Sequence, residues 1–90
     1  MGVIVKLFGN LRIVLGEKEI ELEGRGGTLR EMIISLATQH DEAISKELLD
    51  ENGELDRAYV IFLKGERIYD LSTKIEDGDV VVITSMLAGG

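Results

Sequence analysis

Val3-Ile4-Val5-Lys6-Leu7-Phe8 predicts a strand, with Val3, Val5 and Leu7 on one face and Ile4, Lys6 and Phe8 on the other. Gly9-Asn10 reads as a turn or bulge, Leu11 to Leu15 is loosely patterned, and Gly16-Glu17-Lys18 suits a turn. Glu19-Ile20-Glu21-Leu22-Glu23 then alternates strictly, turning Ile20 and Leu22 inward and three carboxylates to water, as an edge strand would. These segments predict a hairpin. After the Gly24-Arg25-Gly26-Gly27 loop the period changes from two to 3.6. Thr28 and Glu31 have capping-box spacing, and Leu29, Met32, Ile33, Leu36 and Ala37 form one helical stripe. A break at Gln39-His40-Asp41 precedes a shorter helical piece, Glu42 to Leu49, with Ile44 and Leu48 four apart.

Beyond an acidic turn at 50–54, Tyr59 to Leu63 is the next strand, and Lys64-Gly65 turns it toward Arg67-Ile68-Tyr69. Leu71 and Ile75 are expected to pin a loop to the core. Glu76-Asp77-Gly78-Asp79 is a turn with glycine where a positive φ is easy. Val80 to Thr84 is apolar enough for the centre of a sheet. The order β-β-α-β-(β)-β buries most apolar surface if the first and last strands lie parallel at the centre with the helix across one face. That is an α+β fold, the ubiquitin-like β-grasp: a mixed sheet with one main helix. The expected division is a domain over 1–84 and a flexible tail over 85–90.

With 90 residues there is room for one such domain. No cysteine is present, which excludes disulfides and thiol chemistry on a side chain. The single histidine, His40, makes a zinc site implausible and is expected to be exposed near a helix end. The net charge of −7 has the wrong sign for phosphate contacts, so nucleic acid is not an expected partner. No membrane span or signal sequence is visible, and a cytoplasmic location is expected. The acidic balance suits basic protein partners as well as simple solubility.

Two stretches invite ligand readings that their spacing does not support. Gly24-Arg25-Gly26-Gly27-Thr28 lacks the Lys-Ser/Thr pair of a P-loop and the third glycine of a dinucleotide fingerprint. Glu76-Asp77-Gly78-Asp79 lacks the length and terminal Glu of a calcium loop. Neither a bound metal nor a stably bound cofactor is expected.

Chemistry concentrates instead in Ser85-Met86-Leu87-Ala88-Gly89-Gly90. Glycine offers no side chain to block a narrow channel, and six extended residues reach roughly 20 Å. A carboxylate is a poor electrophile, so a terminal one becomes a carrier only after activation, for example as an acyl-adenylate made by a partner from ATP. If Val81 and Ile83 on the last strand and Ile61 and Leu63 on the middle strand face inward, Phe62 faces outward with Phe8 and Val82, and the three form an exposed apolar patch near the tail's root, a surface suited to a partner.

Val5 to Phe8, Thr28 to Leu36, Ile75-Glu76-Asp77-Gly78-Asp79-Val80-Val81 and Ala88-Gly89-Gly90 together resemble the MoaD/ThiS sulfur-carrier family, including the small archaeal modifier proteins. The resemblance covers the whole chain, and the extra Asp41–Asp56 segment favours the MoaD branch. Where the family often has Pro-Pro before its terminal glycines, this chain has Ser85-Met86; where many members have Asn, it has Lys64.

The resemblance implies a carrier rather than an enzyme. An E1-like, MoeB-type adenylyltransferase would adenylate Gly90 with ATP, and sulfuration would give a thiocarboxylate. A MoaE-like large subunit of molybdopterin synthase would then receive Leu87, Ala88, Gly89 and Gly90 and take up the sulfur for the molybdenum cofactor. Two alternatives stand beside it: a ubiquitin-like modifier joined through Gly90 to target lysines, and a β-grasp interaction module with an inert tail.

Overall fold

Alternation in the first strand organises the molecule. The computed structural model describes residues 2–9, 13, 16, 19–23, 27–40 and 42–85. Strand β1, Gly2–Leu7, buries Val3, Val5 and Leu7 on one face. Strand β2, Glu19–Glu23, pairs with it antiparallel, with Ile20 and Leu22 inward and Glu19, Glu21 and Glu23 exposed. The last strand, β7 at Val80–Ser85, lies parallel to β1 on its other side. Strand β4, Tyr59–Leu63, runs antiparallel to β7 and carries the short β5, Glu66–Ile68. The five-stranded order is therefore β2-β1-β7-β4-β5. The chain has the ubiquitin-like α+β architecture expected, with the acidic β2 at an edge.

Helix α1, Leu29–Gln39, crosses the inner face and buries Leu29, Met32, Ile33, Leu36 and Ala37, the stripe read from the sequence. Its capping box is complete: the Glu31 amide donates to Thr28 Oγ1 at 3.2 Å and the Thr28 amide to Glu31 Oε1 at 2.9 Å. Helix α2, Ala43–Leu48, has six residues and no side-chain cap, too short to hold alone. Burial of Ile44 and Leu48 in the core holds it. A fully buried Leu or Ile contributes about 1.5–3 kcal/mol, against about 0–1 for an exposed ion pair, so the apolar stripes rather than surface charges stabilise this fold.

The segment after α2 is tied down by polar bonds. Asp50 Oδ1 accepts the amides of Asn52 and Glu54, and Arg30 donates to the Gly53 carbonyl at 3.0 Å and to Glu54 at 3.1 Å. Lys64 and Gly65 both have positive φ, 55° and 81°, as a two-residue turn between twisted strands requires. Gly78 has φ 93°, in the turn the sequence marked.

Two features differ from the sequence reading. A second, two-stranded sheet joins β3, Gly27–Thr28, to β6, Lys74–Ile75, so Gly27 is strand rather than loop. It anchors the N-terminus of α1 beside the buried Leu71 and Ile75. And β7 continues through Ser85, one residue beyond the expected boundary at Thr84. Ser85 is 8% exposed and pairs with Tyr59, so it belongs to the domain and not to the tail.

Candidate functional site

Both ends of the expected site grow from β7, the middle strand. Val81 and Ile83 are fully buried, so alternation turns Val80, Val82 and Thr84 to the sheet's outer face. Val82 stands opposite Phe62 on one side and Lys6 on the other; Arg67 lies beyond Phe62 and Glu19 beyond Lys6. One row across the sheet thus reads Arg67-Phe62-Val82-Lys6-Glu19. Phe62 and Val82 are half-buried. Phe8 follows β1, its amide donating to the Ile83 carbonyl at 2.9 Å, which sets it beside Thr84; it is 44% exposed.

The three patch residues thus share one face. The structure adds Val60, which pairs with Thr84 and is buried outside the main core cluster, and Val80, which is exposed. Both lie two positions from residues already singled out, so period-two counting would have found them. The apolar centre carries cationic groups from Lys6 and Arg67. Arg67 also stacks over the exposed Tyr69 ring at 4.7 Å. Lys64 Nζ lies 3.8 Å from Asp79, and the acidic fringe of β2 closes the far edge.

On the inner face the end of β7 is closed by a different set. Tyr59 and Ser85 are partners, both buried. The Tyr59 hydroxyl donates to Glu47 Oε2 on α2 at 2.6 Å. Leu87, Ala88, Gly89 and Gly90 lie outside the described residues.

Among the described residues nothing is arranged as a catalytic centre. No group of three or more described His, Cys, Asp or Glu side chains could hold a metal ion, and the polar groups on buried described side chains include the Ser85 and Tyr59 hydroxyls. His40 is exposed at the end of α1. Asp70 has its carboxyl held below the usual range, first by the Ser72 hydroxyl at 2.7 Å and then by the Ser72 amide, but this organises an exposed turn. No described helix is long and apolar enough to cross a membrane. A shallow groove between the helices, lined in part by Ile34, Thr38 and Lys46, lies on the helical side, away from the sheet's outer face.

The ThiS family model matches residues 5–90, from within β1 to the terminal glycine. The chain belongs to the ThiS family. ThiS-family members are ubiquitin-like sulfur carriers and modifiers, the class expected from the sequence. Solved structures agree in fold. A chain of the Amycolatopsis orientalis BexX/CysO complex superposes with a TM-score of 0.79 at 27% identity, covering 99% of this chain and 100% of that one. The Methanosarcina acetivorans small archaeal modifier protein 1 matches at 0.74 and 29%, covering 98% and 95%. A Pyrococcus furiosus protein described as putative molybdopterin converting factor, subunit 1, matches at 0.71 and 28%, covering 92% and 94%. No functionally curated protein matches the sequence.

Proposed function

We propose that this ThiS-family protein is a cytoplasmic, MoaD-like sulfur carrier whose reacting group is the Gly90 carboxylate. The observation that carries the reading is the family match running through Gly90, on a strand that forms the middle of the sheet up to Ser85. The Gly90 carboxylate attacks the α-phosphorus of ATP in an E1-like, MoeB-type enzyme, and pyrophosphate leaves. A hydrosulfide equivalent then attacks the acyl carbon and AMP departs, leaving a thiocarboxylate. Gly89, Ala88 and Leu87 thread the enzyme's channel, while Phe8, Phe62 and Val82 dock on the partner's surface. ATP is the partner's substrate, and the carrier needs no cofactor of its own.

The acceptor is a MoaE-like subunit making molybdopterin. Support comes from the Pyrococcus furiosus likeness and from the resemblance of the Asp41–Asp56 segment, which contains helix α2, to the MoaD branch.

The likeness to the Methanosarcina acetivorans modifier favours a second fate for the same intermediate. If a lysine amine replaces the sulfur nucleophile, AMP leaves and Gly90 forms an isopeptide bond. Intact-mass measurement after incubation with the E1-like enzyme, ATP and a sulfur donor tests the carrier reading, which requires one oxygen to be exchanged for sulfur at Gly90. Conjugates that need Gly90 support the modifier. A tail that can lose Gly89-Gly90 with no change in activity or partner binding leaves only an interaction module.

A further inference from the structure

The inner side of the tail's root is built more firmly than an arm needs merely to be attached. Ser85 is strand, buried, and paired with Tyr59. Tyr59 is 5% exposed, and its hydroxyl is held by Glu47 at 2.6 Å. Glu47 stands on α2 between Ile44 and Leu48, both in the core. The Asp56 amide donates to the Leu48 carbonyl and the Tyr59 amide to the Asp56 carbonyl, so the same segment grips the start of β4 by its backbone. One phenol–carboxylate bond thus links α2 to the strand residue that opposes Ser85.

We propose that Tyr59, held by Glu47, is a positioning residue for chemistry at Gly90: it keeps β7 extended through Ser85 and so sets the direction in which the tail leaves the sheet. This rests on the carrier reading above. Five residues reach at most roughly 17 Å, so a change of about 10° in the direction of the strand at Ser85 shifts the region open to the terminal carbon by up to about 3 Å. Misplacement of about 1 Å can cost a reaction a hundredfold when binding does not correct it. Here a partner's channel captures the tail and corrects the final placement, so the cost falls on capture. The Tyr59 ring packs in the core, but its hydroxyl is removable without a cavity.

The test is carrier-dependent ATP–pyrophosphate exchange by the cognate E1-like adenylyltransferase, with full-length chain. Tyr59→Phe and Glu47→Ala raise the KM for the carrier about threefold to tenfold and leave kcat within about twofold. Glu47→Gln keeps an amide oxygen to accept the phenol and retains the wild-type KM. Ile33→Val lowers Tm without raising KM, which separates positioning from general destabilisation. Wild-type KM in both Tyr59→Phe and Glu47→Ala overturns the proposal while leaving the carrier reading intact, as does an equal rise in Ile33→Val. Absence of exchange with the wild-type chain overturns the carrier reading and this proposal together.

Discussion

Phe62 stands directly opposite Val82 in the β4–β7 ladder, and Val82 has Lys6 on its other side, so an apolar pair at the middle of the sheet's outer face is flanked by a cation. Half-buried apolar residues at the centre of a surface carry most of a binding energy, and rim charges mainly tune the encounter. Phe62→Ala should therefore weaken binding of the E1-like enzyme by about 2 kcal/mol or more, roughly thirtyfold. Lys6→Ala should shift mainly the association rate and its salt dependence. Surface-immobilised binding kinetics separate the two. Equal, small effects from both would remove Phe62 from the contact.

The core of α1 decides stability. Leu36 is fully buried, so Leu36→Ala should cost about 2–5 kcal/mol, a large share of the 5–15 kcal/mol typical of a domain. Thr28→Ala breaks the capping box at the exposed end of the same helix and should cost about 1 kcal/mol. Urea unfolding monitored by circular dichroism checks both. A Thr28 loss as large as the Leu36 loss would contradict the ordering.

Lys64 adopts φ 55° at the first turn position between β4 and β5. A side chain other than Asn, Asp or Gly is strained there, by about 1–2 kcal/mol relative to glycine. Its contact with Asp79 is long, at 3.8 Å, and Lys64 is largely exposed, so little is lost with it. Lys64→Asn should raise stability by about 0.5 kcal/mol. Thermal unfolding reads the sign, and a fall in Tm would give the ion pair more weight than the backbone.

Asp70 supplies a pH dependence. Its folded-state pKa is depressed, first by the Ser72 hydroxyl and then by the Ser72 amide. Stability from this turn is present above the unfolded-state carboxylate pKa and is lost as pH falls through the lower, folded value. The Ser72 amide resonance should therefore titrate below the normal Asp range, and Asp70→Asn should abolish that titration. A midpoint at or above the ordinary value would contradict the bonded geometry.

Much of the architecture was legible because its residues obey one period at a time. Val3, Val5 and Leu7 alternate; Leu29, Met32, Ile33, Leu36 and Ala37 follow a helix; Thr28 and Glu31 announce the cap. The β3–β6 pair was not legible, since two residues carry no period and Gly24 to Gly27 reads as punctuation. Ser85 misled for a related reason: serine is common in turns, and its strand partner Tyr59 lies across the sheet rather than along the chain. The bond from Tyr59 to Glu47 joins residues twelve apart on a strand and a separate helix, where no local pattern marks it. The shared outer face of Phe8, Phe62 and Val82 was legible from alternation, which also places Val60 and Val80 there.

Conjugation, if it occurs, has its own signature. Lys74 is the last tryptic site, so a modified lysine would bear the remnant Ile75 to Gly90. A denaturing capture of tagged chain, searched for that remnant, should find it only when Gly90 is present. Equal recovery of higher-mass conjugates from the chain lacking Gly89-Gly90 would exclude the isopeptide route through Gly90.

The most direct measurement is the intact mass of the full chain after incubation with the cognate E1-like enzyme, ATP and a sulfide donor. The carrier account predicts an ATP-dependent gain equal to replacing one oxygen by sulfur, located at Gly90 by fragmentation and absent when Gly89-Gly90 is deleted. An unchanged mass with active enzyme, or the same gain in the deleted chain, would contradict it.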